Sequence, residues 1–200
     1  MNRKFALAAF MFTMAVVGAG CATQPSHFYM LSSVATRPAA VAGEGQGPAV
    51  VVGPVSVPAV VDVPQIVLSS GSNEVTIDEY NRWASPLQNN IADVVAENLV
   101  TMLGTPRVSM FQRSLNADAD YRVAIEVQRF ESVPGEVATL NAIWIVRRLR
   151  DGKAMTGRTT VRQPVQDSGY GALVAAHSRA LARMSEEIAE AIRKQDRVSQ

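Results

Sequence analysis

The sequence holds few side chains of the types that do covalent chemistry, and their placement says more than their number. Cys21 is the only cysteine among 200 residues. Alone it cannot form an internal disulfide, and a zinc site would need several partners. The two histidines are His27 and His177. His177 falls on the apolar stripe of a long helical pattern, where a hydrogen-bonded core histidine is the simpler reading and a catalytic base the alternative. Ser72 sits between Gly71 and Asn73, residues that make turns. HExxH, GxSxG, a phosphate loop and GxGxxG are absent, and the carboxylates are scattered without metal-ligand spacing. Neither a catalytic set nor a metal site is expected. A formal net charge of +1 gives no basic field for nucleic acid.

Cys21 takes its role from what precedes it. Arg3 and Lys4 are followed by sixteen uncharged residues, Phe5 to Gly20, and then by the cysteine. As a helix this run would span roughly 24 Å at about 1.5 Å per residue. That is short of a hydrocarbon core of roughly 30 Å, so residues 1–20 read as a cleaved signal peptide. Gly18-Ala19-Gly20 before Cys21 resembles a bacterial lipobox, in which the signal is cut before the cysteine and the thiol is acylated. Gly18 departs from the usual Leu or Val. The expected modification is a diacylglycerol on Cys21 plus an amide-linked chain such as palmitate, because two or more chains hold stably where one anchors marginally. No other cofactor is expected. Ala22 follows, where an Asp would favour retention in the inner membrane. It is the sorting residue, and it implies the periplasmic face of the outer membrane. Losing Arg3 and Lys4 takes the formal charge from +1 to −1.

The elements that position the rest are read from periodicity. Ala22 to Ser26 is a tether reaching roughly 17 Å when extended. His27 to Ser33 is a short strand, and 34–48, rich in Pro, Ala and Gly, a flexible loop. Val50 to Val57 is a strand interrupted at Pro54, where an edge or a bulge is expected. Ile66 to Ser69 and Glu74 to Ile77 form a hairpin around Ser70–Asn73. Ser85, Pro86 and Gln88 predict a capped helix start with a capping box. Its apolar face is Leu87, Ile91, Val94, Val95, Leu99, Met102 and Leu103; Asn89, Asn90, Asp93, Glu97 and Thr101 are placed on the wet side, and Gly104 ends it.

Arg107 to Phe111 is a further short strand. Tyr121 to Phe130 alternates, with Tyr121, Val123, Ile125 and Val127 on one face. Val137 to Arg148 and Lys153 to Gln163 flank an Asp151-Gly152 turn. The last element is a helix from Tyr170 to Lys194 with Val174, His177, Leu181, Met184, Ile188 and Ala191 down one stripe. The expected fold is α/β of the α+β type: a single, mainly antiparallel sheet with two long helices packed on one face. It forms one domain, 27–195, with 196–200 as a tail. Tyr80, Arg82 and Trp83, between strand and helix cap, are candidates for partner binding, since Tyr, Trp and Arg are favoured interface anchors; the alternative is that Trp83 closes the core and Arg82 pairs locally.

Three stretches resemble the PqiC-like family of ABC-type transport auxiliary lipoproteins: "FYMLSS", the run from "VVVGPVSVPAVVDVPQIVLSS" through "NRWASPLQNNIADVVAENL", and "YGALVAAHSRALARMSEEIAEAI". The most specific parts are Val63-Pro64-Gln65-Ile66, Asn81 to Gln88 and Ala175 to Leu181. The resemblance implies an outer-membrane lipoprotein, not an enzyme, that works with an MCE-domain tunnel protein of the PqiB type and inner-membrane transport components in lipid transport, supporting membrane integrity. A ring or other homo-oligomer would suit a tubular partner. The alternatives are a periplasmic lipoprotein that binds a small ligand or lipid itself, and an envelope hydrolase using Ser72 or His177.

Overall fold

The computed structural model describes residues 24–36, 47–71, 73–111 and 119–197. The signal region, Cys21, Ala22, Ser72 and most of the 34–48 loop lie outside them. In chain order the elements are β1 (His27–Tyr29), β2 (Val50–Ser56), β3 (Gln65–Ser69), β4 (Val75–Trp83), α1 (Leu87–Leu103), β5 (Val108–Met110), β6 (Tyr121–Val133), β7 (Val137–Arg148), β8 (Ala154–Pro164) and α2 (Tyr170–Arg197).

These strands do not form the single, mainly antiparallel sheet expected from the sequence. They form two sheets, one of three strands in the order β1-β4-β3 and one of five in the order β5-β2-β6-β7-β8. Both are mixed. β1 runs parallel to β4, and β2 runs parallel to both β5 and β6. The remaining pairs, β3 with β4, β6 with β7 and β7 with β8, are antiparallel. The physical reason is the connection. Parallel neighbours need a long crossover, usually through a helix. The chain between β2 and β5 supplies one, because it contains the β3–β4 hairpin and α1.

Tyr121, Val123, Ile125 and Val127 of β6 are buried on one face, and in register with them on β7 are Ala142, Trp144 and Val146. α1 and α2 cover this face. α1 contributes Leu87, Ile91, Val95 and Leu99, and α2 contributes Leu181, Met184, Ile188 and Ile192, all at most 1% exposed. Each such side chain stabilises the fold by roughly 1.5–3 kcal/mol relative to exposure. The whole α2 stripe from Val174 to Ala191 is buried, His177 included.

Three local outcomes follow from backbone chemistry. α1 ends at Gly104 in the left-handed conformation (φ 67°), its N–H bonded to the Val100 carbonyl. At the other end the capping box is not formed. Pro86 itself is the N-cap, with ψ at 129°, and no side chain caps the helix. The helix starts one residue later than expected, so Ser85 stands outside the capping position. At Pro54 the β2–β6 register shifts between Val52 and Val55, the irregularity that a proline inside a strand implies.

Candidate functional site

Two of the stretches that carry the resemblance, Val63–Ile66 and Asn81–Gln88, meet across the β3–β4 hairpin of the three-stranded sheet. Gln65 pairs with Arg82, and the Trp83 N–H donates to the Pro64 carbonyl at 2.7 Å. The junction walls a groove of about 380 Å³ between Asp62–Pro64 and Trp83–Leu87.

The structure separates the three residues singled out as partner-binding candidates. Trp83 is 7% exposed and packs edge-on against Phe130, with ring centroids 6.2 Å apart. Tyr80 is exposed, and Arg82 is half-buried beside Phe28 of β1. Trp83 therefore fills the core below the groove while Tyr80 and Arg82 face outward from it.

His177 lies on the far side of Phe130, its ring stacked on the phenyl at 3.8 Å. Its Nε2 shares a hydrogen bond with Ser132 Oγ at 2.8 Å, and Nδ1 has no partner among the described residues. Burial pushes its pKa down to about 3, so the imidazole is neutral. This is a packed core histidine. A second concavity, about 610 Å³, is elsewhere, beside Tyr121, Arg148 and Asp196. There the Arg148 guanidinium grips Asp151 at 2.7 Å and donates to the Gln195 carbonyl. Burial first, and then the Asp196 carboxylate, push the Tyr121 phenol up to about 12. These contacts tie the β7–β8 turn and β6 to the end of α2.

The feature that sequence reading missed is the path of the chain after β1. Leu31, Ser32 and Ser33 run between α1 and α2 as a strap, held by side chains of both. Asn90 of α1 takes the Leu31 N–H on Oδ1 at 2.8 Å and turns its amide N–H toward the Leu31 carbonyl. Ser178 Oγ of α2 accepts from the Ser32 N–H at 3.2 Å. Ser33 Oγ donates to Asn98 Oδ1 at 2.7 Å, and Asn98 Nδ2 continues to Ser185 Oγ at 3.1 Å. Asn90, placed on the wet side of α1 by its polarity, is thus buried, and Asn98 is fully so. A polar group is buried cheaply only when bonded, and the strap supplies those bonds. The signal available in the sequence was polarity on the buried side of both helices: Asn98, Ser178 and Ser185.

Just before the strap, the Ala84 N–H donates to the Tyr29 carbonyl at 2.9 Å and Tyr29 OH donates to Asn81 Oδ1. The Tyr29 ring lies 5.8 Å from that of Tyr170, whose hydroxyl donates to Asp78 Oδ2 at 2.7 Å. That bond, with the Tyr80 backbone N–H, holds the Asp78 carboxyl below its usual range. The N-terminal end of the described chain is therefore locked to β4, α1 and α2 together.

The result is an α+β body whose N-terminal strap is clamped between its two helices. Residues 29–189 match the family model of the ABC-type transport auxiliary lipoprotein component, and the chain belongs to that family. The resemblance read from the sequence is borne out. The fold is similar to that of a Xanthomonas campestris protein of family DUF330 (TM-score 0.69, 22% identity, covering 87% of this chain and 99% of that one). It is also similar to an uncharacterized protein (TM-score 0.67, 20% identity, 84% and 99% covered). None of the curated proteins matches the chain. Among the described residues no helix is long and apolar enough to cross a membrane.

Proposed function

We propose that this protein is a lipid-anchored docking module of an intermembrane lipid transport system, not an enzyme. It is acylated at Cys21 and sorted by Ala22 to the periplasmic face of the outer membrane. There it receives an MCE-domain protein of the PqiB type that works with inner-membrane transport components. The observation that carries the reading is the strap. Only nine residues lie between Cys21 and Leu31, so an anchor on the cysteine would hold the body within about 35 Å of the bilayer.

The alternative, a lipoprotein that carries a small ligand inside itself, is less well supported. The space between the five-stranded sheet and the helices is filled by Val52, Val123, Ile125, Leu181 and Met184, each at most 3% exposed. Replacing Cys21 with Ala tests the anchoring. The expected result is loss of acyl labelling and of outer-membrane fractionation. Unchanged labelling and fractionation would overturn it. Loss of the tunnel protein on co-purification from Cys21-acylated membranes would refute the docking role.

A further inference from the structure

Residues around the strap alternate strictly in burial. Tyr29, Leu31, Ser33 and Ala35 turn inward, and Phe28, Met30, Ser32 and Val34 turn outward. The inward set is explained by the contacts already described. The outward set is not. Phe28 is 64% exposed, Met30 61% and Val34 45%, and Phe28 and Met30 exceed every other exposed large apolar side chain of the described residues. A strand beside a core usually shows a polar outer row; here the outer row is apolar at three of four positions. Beside it stands a cation. Arg82 pairs across from Phe28 in the β1–β4 register and has no ion-pair partner among the described residues.

We infer that Phe28, Met30 and Val34, with Arg82, form a surface that rests on phospholipid. The apolar side chains enter the boundary between headgroups and acyl chains, and the guanidinium meets lipid phosphate. The inference rests on the proposed anchoring at Cys21 and specifies how the body sits once anchored. Three arguments favour lipid over a protein occupant. The patch begins seven residues from the cysteine, so it lies within about 25 Å of the acyl chains, the nearest apolar phase available to it. The strap's bonds to Asn90, Ser178 and Asn98 fix the row to the body, so the side chains cannot fold back against the core. Exposed apolar side chains combined with a cation suit an anionic lipid interface, where each basic residue adds attraction.

The test uses the mature acylated protein in vesicles of phosphatidylethanolamine and phosphatidylglycerol. Single cysteines are introduced as Phe28→Cys, Met30→Cys and Val34→Cys, with Val100→Cys on α1 as a control, and labelled with an environment-sensitive fluorophore. At 28, 30 and 34 emission should rise about twofold or more and be quenched by nitroxide lipids, with no change at 100. Arg82→Glu should weaken quenching at 28. Vesicle flotation with unquenched labels at 28, 30 and 34 would overturn the patch and leave the anchoring intact. A label shielded from water but not quenched by lipid would also overturn it, in favour of a second copy or a partner protein. Failure of the acylated protein to float would overturn both readings.

Discussion

Gly157 of β8 lies directly beneath the indole of Trp144 on β7. A Cβ at position 157 would stand 2.1 Å from the ring, well inside contact distance. The indole N–H donates to Thr159 Oγ1 at 3.0 Å, and Thr159 in turn donates to Glu187 on α2. The missing side chain at 157 lets an edge strand, an indole and a helix close on one another. Gly157→Ala should lower stability by about 1–3 kcal/mol, the usual range for overpacking. A shift of the urea midpoint without change of slope would report it, and an unshifted midpoint would contradict the geometry.

His177 makes stability depend on pH. Its pKa is about 3 in the folded chain against 6.5 when unperturbed. Between those values the unfolded chain binds the extra proton. The contribution is therefore fully present above pH 6.5 and is lost progressively as pH falls toward 3. At its steepest the slope is about 1.4 kcal/mol per pH unit. His177→Phe should show a smaller loss of unfolding free energy between pH 7 and pH 5 than the parent protein, whatever its stability at pH 7.

Asn90 and Asn98 should behave as clasps. Asn90→Ala removes the acceptor of the Leu31 N–H, and Asn98→Ala removes the acceptor of the Ser33 hydroxyl and the donor to Ser185 Oγ, which keeps its own bond to the Leu181 carbonyl. Each should cost about 1–3 kcal/mol, the range for a buried group left without its partner. Hydrogen exchange at Leu31 and Ser32 should accelerate in Asn90→Ala while the β6–β7 ladder stays protected. Equal acceleration throughout would mean that the strap does not move on its own.

Tyr170→Phe removes the strongest bond to Asp78. The Asp78 carboxyl should then titrate at higher pH, nearer its ordinary value. Carbon-detected NMR of the side-chain carboxyl measures this directly, and an unmoved titration would assign the depression to the Tyr80 and Asn81 amides instead.

Much of this was legible in the sequence where structure is local. The alternation of Tyr121 to Val127 and the α2 stripe report burial because period and face are fixed by neighbours along the chain. Gly104 ends α1 as read, because a left-handed C-cap needs only its own backbone. Sheet membership was misread because β1 finds its partner at Asn81–Trp83 and β2 lies between β5 and β6, choices made by crossover connections and not by local pattern. Asn90 was misplaced for a related reason: what makes its burial tolerable is a backbone segment 59 residues earlier. At the candidate site, Tyr80, Arg82 and Trp83 were singled out by type, but only the fold could send Trp83 inward. The apolar outer row from Phe28 to Val34 escaped notice because "FYMLSS" reads as an ordinary core strand until its inner face is known.

The strap also sets an order of events. A ribosome makes Leu31 to Ser33 early, but two of the side chains they engage directly or through Asn98, Ser178 and Ser185, come near the end of the chain. The groove between α1 and α2 cannot exist until α2 has been synthesised. Throughout that interval Leu31 to Ser33 lack the Ser178 and Ser185 side chains that help to hold them. A helix made late closes over a strap made early, and the strap gains its full set of bonds only once α2 has formed.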